Sequence, residues 1–313
     1  MSDQLISLDA LLPPAMAAKA ENIGVAKSKL NIINMFVLGI LAGAFIAVGA
    51  IFATTVSAGG MVARDAAGAA VFSTGLPYGV TRLLAGLVFT VGLILVVVGG
   101  AELFTGNNLI TMAFASGKVS AGALLRNWVV VYLGNLVGSV ATAYIVFVSG
   151  QYTFGGGAIG ATVLGIAEAK TSLGFVQAIA LGIMCNALVC MAVWLCYSAR
   201  TTTDKILSII PPIACFVAAG FEHSVANMYF IPVGLFVKSG GDPKFFEAIG
   251  KTAENFPNLT WGNFLVGNLL PVTIGNIIGG AVMVGLVYWF IYLRKPATVA
   301  AAADAAQKPA KAA

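Results

Sequence analysis

The chain has 313 residues, of which 59% are hydrophobic and 9% charged. A soluble domain of that size cannot cover its surface with so few charges, so the composition excludes a water-soluble enzyme and predicts a polytopic membrane protein. The formal net charge of +5 is scattered over the ends of apolar runs, which excludes the continuous basic patch that a nucleic-acid partner requires.

The start, M-S-D-Q-L-I-S-L-D-A, has neither a basic leader region nor a small-residue cleavage site, so the first apolar span is expected to direct insertion. Residues 1–30 are expected to form a cytoplasmic segment containing an interfacial amphipathic helix, opened by Pro13-Pro14. A six-span membrane domain is expected over residues 31–294. Its first span, about Asn31 to Val56, carries Gly39 and Gly43, a spacing that lets another helix approach closely.

Ser57 to Tyr78 reads as a loop rich in Gly, Ala and Ser. The second apolar run, Leu83 to Gly100, ends in A-E-L-F-T-G-N-N-L-I, where Glu102, Thr105, Asn107 and Asn108 interrupt a stretch otherwise apolar to Ala115. A broken helix is expected there, because polar side chains can satisfy the backbone groups that a break releases. The third span, about Trp128 to Val148, contains G-N-L-V-G. A Gly-rich loop leads to Lys170, and the fourth span, about Leu173 to Tyr197, contains Asn186.

The fifth span starts near Ile206, with Pro211-Pro212 kinking it or marking its start. It is interrupted by A-A-G-F-E-H-S-V-A-N-M, Ala218 to Met228, which holds the only histidine of the chain, His223. Ionisable side chains at membrane depth cost a few kcal/mol and are by default placed on a substrate or proton path. A polar loop, about Lys238 to Gly262, precedes the sixth span, about Phe264 to Leu293, which contains G-N-I-I-G. Residues 295–313 are Ala-rich and expected to be disordered.

The paired G-N-x-x-G spans and the paired Glu-containing breaks describe a three-plus-three repeat, about 31–149 and about 173–293. With three spans per half the second copy is inverted, and matched broken helices point to a midplane site. Lys19, Lys27, Lys29, Lys118, Arg126, Arg200, Lys205 and Arg294 flank one side, which predicts cytoplasmic termini. The four cysteines, Cys185, Cys190, Cys196 and Cys215, read as small buried hydrophobes with no metal or disulfide role. Trp128, Trp194, Trp261 and Trp289 read as interface anchors near span ends.

At E-L-F-T-G-N (Glu102 to Asn107), C-N-A-L-V-C-M-A-V-W (Cys185 to Trp194) and G-F-E-H-S-V-A-N-M (Gly220 to Met228) the chain resembles the formate/nitrite transporter family. The resemblance spans about Leu11 to Leu293. It implies an aquaporin-like six-span α-helical bundle with inverted repeats, assembled as a homopentamer in the inner membrane. It also implies conduction of formate, nitrite or hydrosulfide together with a proton, and no cofactor. By resemblance, His223 is the central pore histidine and Thr105 the threonine between the halves of the second helix. Lys170 is the lysine that raises anion density in the vestibule, and Asn186 lies near the histidine. Phe89, Leu93, Phe104, Val189 and Phe216 form the apolar constrictions.

An anion entering low dielectric loses many kcal/mol of hydration, so a narrow apolar path excludes it unless charge is supplied or neutralised. Half-helix N-termini supply part of it. His223 is expected to supply the rest by giving the anion a proton, with Thr105 as a partner for one ring nitrogen. Glu102 and Glu222 are expected to accept hydrogen bonds from backbone N–H groups of their own breaks, helped by Asn107 and Asn227. A bare carboxylate would repel the anion. Two rivals fit less well. A neutral-solute channel would carry the Asn-Pro-Ala pair, which is absent, and a respiratory membrane anchor with bis-histidine haem needs more than one histidine.

Overall fold

The computed structural model describes residues 9–59, 61–64 and 70–294. Helix α1 (Pro13–Ser28) precedes the first span, α2 (Ile32–Ser57). An antiparallel hairpin of β1 (Met61–Arg64) and β2 (Ala70–Thr74) leads into α3 (Tyr78–Gly99). Beyond a break lie α4 (Phe104–Asn107), a 3₁₀ turn and α5 (Thr111–Ala115), followed by α6 (Ala121–Val148). The second half holds α7 (Ala158–Thr171), α8 (Phe175–Ser198), α9 (Thr202–Ala219), a second break, α10 (Ser224–Gly240) and α11 (Pro243–Ala248). The last span, Asn263–Tyr292, loosens to π turns on either side of α12 (Leu270–Ile277) and ends in α13 (Val287–Tyr292). Six of these helices are long and apolar enough to cross a membrane.

Local chemistry sets the boundaries. Asn31 accepts from Asn34 N–H at 2.8 Å to open α2, and Ser120 accepts from Ala123 N–H at 3.2 Å to open α6. Thr201 and Asp204 cap α9 reciprocally, at 3.1 and 2.9 Å. Both breaks begin on a left-handed glycine, Gly100 (φ 82°) and Gly220 (φ 79°), a conformation that costs glycine little.

The two halves pack by the same device. Gly39 of α2 faces Gly134 of α6, where an added Cβ would lie 3.2 Å from the Gly134 Cα. Gly182 of α8 faces Gly275 of α12 at the same 3.2 Å. Backbones at that separation leave no room for a side chain, which is why both spans carry G-N-x-x-G. Each half thus contributes three spans, one of them continued by a broken helix, arranged as inverted repeats.

Several expectations are corrected. The hairpin lies where a loop was expected between Ser57 and Tyr78, and α7 occupies most of the expected Gly-rich loop that leads to Lys170. The third span begins at Ala121, not Trp128, because Ser120 caps it. Pro211 and Pro212 lie inside α9, whose start the Thr201 cap places nine residues earlier than Pro211 at Thr202. Trp194 is buried and stacks on Tyr288 at 4.1 Å, Trp128 donates to the Asn107 carbonyl, and Trp289 donates to Ser116 Oγ. These three indoles hold helices together; Trp261 is exposed. Cys215 is exposed, whereas the other three cysteines are buried. The expected disordered tail, 295–313, lies outside the described residues.

Helix α1 docks on the bundle. Met16, Ala17 and Ala20 are buried in a cluster with Trp194 and Tyr197, and Glu21 pairs with Lys118. Lys19 donates to the Tyr197 carbonyl at 2.8 Å, and Arg126 to the Ser28 carbonyl at 2.6 Å. These cations gather at one end of the bundle.

Candidate functional site

The breaks place His223 at the centre of the molecule, 3% exposed, as the residue that opens α10. Its Nδ1 accepts from Ala226 N–H at 3.0 Å, and its Nε2 lies 2.9 Å from Thr105 Oγ1. An Nδ1 that accepts from a backbone N–H carries no proton, so the resting imidazole is neutral and holds its proton on Nε2, directed at Thr105. The ring stacks on Phe216, 5.8 Å between centroids.

Two cavities lie on either side. One, of about 310 Å³, is lined by Arg82, Lys170, Glu222, His223, Asn227 and Phe230 among others. The other, of about 300 Å³, is lined by Lys27, Glu102, Asn107 and Tyr197 among others. Between them is a space of about 10 Å³ enclosed by Ile46, Phe89, Leu93, Leu103, Val189, Ile213, Phe216 and His223. A space that small holds one water at most. The path is therefore two vestibules, each carrying a lysine–glutamate pair, joined through an apolar neck with one imidazole in its wall.

Four of the five expected constriction residues, Phe89, Leu93, Val189 and Phe216, line that neck. Phe104 does not. Its ring turns toward Tyr132 (4.9 Å) and Trp128 (6.0 Å), and Leu103 takes its place in the wall. Ile46 and Ile213 are lining residues that sequence reasoning missed; they sit in apolar runs with nothing local to distinguish them. Asn186 is buried behind the path, where its Nδ2 reaches the Asn108 side chain (3.0 Å) and the carbonyls of Thr105 (3.3 Å) and Asn276 (2.7 Å). It positions Thr105 and, through it, His223.

Glu102 and Glu222 have partners other than those expected. Glu222 pairs with Lys170 at 2.7 Å and accepts from Asn227 Nδ2 at 2.6 Å. Glu102 pairs with Lys27 at 2.6 Å and accepts from Asn107 Nδ2 at 2.6 Å. Lysine and amide groups fill these carboxylates, not backbone N–H of the breaks. That duty falls to Asn135 and Asn276, whose Oδ1 atoms accept from Phe104 N–H and Ser224 N–H, each at 2.9 Å. Asn127 and Asn268 complete each cluster by accepting from Asn107 (2.9 Å) and Asn227 (2.7 Å). Lys27, Asn127 and Asn135 therefore match Lys170, Asn268 and Asn276, and the polar clusters obey the same inverted symmetry as the helices.

With each carboxylate paired, neither vestibule exposes a bare negative charge toward an anion. A small anion can collect in a vestibule but meets an apolar neck, where the polar group is the His223 Nε2–H, bonded at rest to Thr105 Oγ1. The one hydroxyl beside the imidazole, Thr105 Oγ1, faces a ring nitrogen that already carries its proton, so the arrangement suits passage, not turnover.

Comparison with known proteins places the chain in a family. Residues 14–290 match the model of the formate/nitrite transporter family. Among curated proteins, the chain is 45% identical over 288 residues to "Formate channel FocA" of Escherichia coli (strain K12), covering 92% of this chain and 96% of that one. It is 41% identical to the protein of the same name from Haemophilus influenzae, covering 91% and 95%. Among solved structures, "Pentameric formate channel with formate bound" superposes with a TM-score of 0.76 at 45% identity, covering 84% of this chain and 98% of that chain. "FNT family ion channel" superposes with a TM-score of 0.69 at 29% identity, covering 90% and 99%. A six-span bundle with two broken helices, a buried histidine between vestibules and this breadth of likeness lead to one assignment: the chain belongs to the formate/nitrite transporter family.

Proposed function

We propose that the protein is a homopentameric, proton-coupled path for small monovalent anions, formate first, with one path per protomer. The observation that carries this reading is the His223 geometry: an Nε2–H donor in the wall of an apolar neck between two vestibules. The names of the relatives support formate, and the named pentameric neighbour supports the assembly. Nitrite and hydrosulfide are the other anions of matching size and charge.

A formate ion crossing the neck bare would forfeit most of its hydration, so it crosses as the neutral acid. Neutral imidazole is not the proton source, because loss of Nε2–H would leave an imidazolate. The donor is the imidazolium, formed when a proton from vestibule water adds to Nδ1 while an anion beside the ring offsets the charge, which displaces the bond from Ala226 N–H. Transfer breaks the Nε2–H bond and forms the O–H bond of formic acid, leaving a neutral ring protonated on Nδ1 that returns to its resting tautomer by proton exchange with vestibule water. Thr105 orients the ring, and Asn186 orients Thr105.

The cations gathered around α1, and their scarcity in the short loops opposite, support cytoplasmic termini; the inner membrane is what the family resemblance implies. Maleimide labelling of Asp242→Cys in whole cells is expected from the outside; labelling only after permeabilisation would overturn this orientation. The function is tested by stopped-flow uptake of formate, nitrite and hydrosulfide into proteoliposomes at two pH values. Formate uptake that accelerates as pH falls and is accompanied by proton uptake is expected; absence of formate flux at both values would overturn it.

A further inference from the structure

The two vestibules are not electrostatically equal. Lys170 is held at 2.7 Å by Glu222, and Lys27 at 2.6 Å by Glu102. Each pair is neutral overall, so neither lysine gives its vestibule net positive charge. Arg82, on α3, is different. It lines the Lys170 vestibule, and among the described residues no carboxylate pairs with it. Its Nε donates to the Ala218 carbonyl at 3.2 Å and its Nη2 to the Val217 carbonyl.

Those carbonyls belong to the last turn of α9, which ends at Ala219 beside the break. A helix C-terminus carries roughly half a negative charge. Aimed at the vestibule, it would repel an anion there. A guanidinium bonded to two of those carbonyls cancels that partial charge and keeps an excess of positive charge. Its three remaining N–H groups have no acceptor among the described residues. The Lys27 vestibule has no counterpart: its lining contains Lys27 and no other basic residue.

Resting on the anion-path reading above, we infer that Arg82 is an anion-attracting charge of its vestibule, in addition to the paired Lys170. It is a positioning residue: it cancels the α9 terminus and raises local anion concentration without entering the neck. The vestibule it serves binds small anions more readily than the opposite one does.

The test uses full-length protein in proteoliposomes, with formate below saturation, at ionic strengths of about 20 mM and about 500 mM. A unit charge acting over roughly 10 Å is strongly felt at the first and screened at the second. Arg82→Gln is expected to lower initial uptake about two- to tenfold at low ionic strength and less than about twofold at high. Arg82→Lys, which keeps the charge and loses the paired carbonyl bonds, is expected to follow the wild type at both. Equal losses in both variants at both ionic strengths would make Arg82 a helix cap only and overturn the inference, as would wild-type uptake by Arg82→Gln at low salt. If Arg82→Gln does not assemble, Arg82→Lys decides: wild-type salt dependence supports the inference and a loss at both salts overturns it. Absence of formate flux in the wild type would overturn the anion-path reading as well, and is told apart because a failure of Arg82 alone leaves wild-type flux intact.

Discussion

Asn135 and Asn276 occupy equivalent places in the two halves and make the same three bonds. Asn135 accepts from Phe104 N–H (2.9 Å) and donates to the carbonyls of Gly39 (2.8 Å) and Glu102 (2.9 Å). Asn276 accepts from Ser224 N–H (2.9 Å) and donates to Gly182 (2.9 Å) and Glu222 (2.9 Å). One amide thus ties a broken helix to two spans, at membrane depth where no water replaces a lost bond.

Asn276→Ala strands the Ser224 N–H and the Glu222 carbonyl in the interior, while the Gly182 carbonyl keeps its bond within α8. At about 1–3 kcal/mol for each buried unpaired group, the expected loss is about 2 kcal/mol or more. A thermal melt of the assembled protein in detergent checks it; an unchanged midpoint would refute the role.

The Lys170–Glu222 pair predicts a non-additive cycle. Lys170→Met leaves a buried carboxylate without its cation and is expected to cost about 3–5 kcal/mol. Adding Glu222→Gln removes the stranded charge and is expected to recover most of that loss. A double-mutant cycle on melting checks the coupling; additive losses would show that the two side chains act separately.

Gly138 and Gly165 predict opposite responses to alanine. A Cβ on Gly138 would collide with the Ile40 carbonyl and force α2 from α6, at an expected cost of about 1–3 kcal/mol. Gly165, in α7, faces open space. Gly165→Ala is expected to stabilise by up to about 1 kcal/mol through helix propensity alone. Melting midpoints that move in the same direction would contradict this.

Much of the fold was legible because its signals are local. Apolar runs long enough to cross the bilayer, the two polar interruptions and G-N-x-x-G in matching spans each lie within a few dozen residues. The partners of the glutamates were not legible. A carboxylate at a helix break reads locally as a cap, yet the lysines that fill Glu102 and Glu222 lie 75 and 52 residues away along the chain. Lys27 looked like a topology signal, and only its place opposite Lys170 in the inverted repeat reveals it as part of a vestibule. Phe104 and Leu103 could not be told apart as wall residues, since adjacent apolar side chains at a helix start differ in direction rather than in composition. Helix α7 was hidden by the Gly-rich turn Gly155–Gly157, which precedes the helix without belonging to it.

His223→Asn bears most directly on the central claim, because it keeps a hydrogen-bonding side chain of moderate size and removes the titratable ring. Proton movement and current are to be measured side by side during formate flux through reconstituted protein. The account predicts that the variant assembles, that proton-coupled uptake is lost, and that any residual flux carries net charge and depends on voltage. An electroneutral variant with the wild-type pH dependence would contradict it.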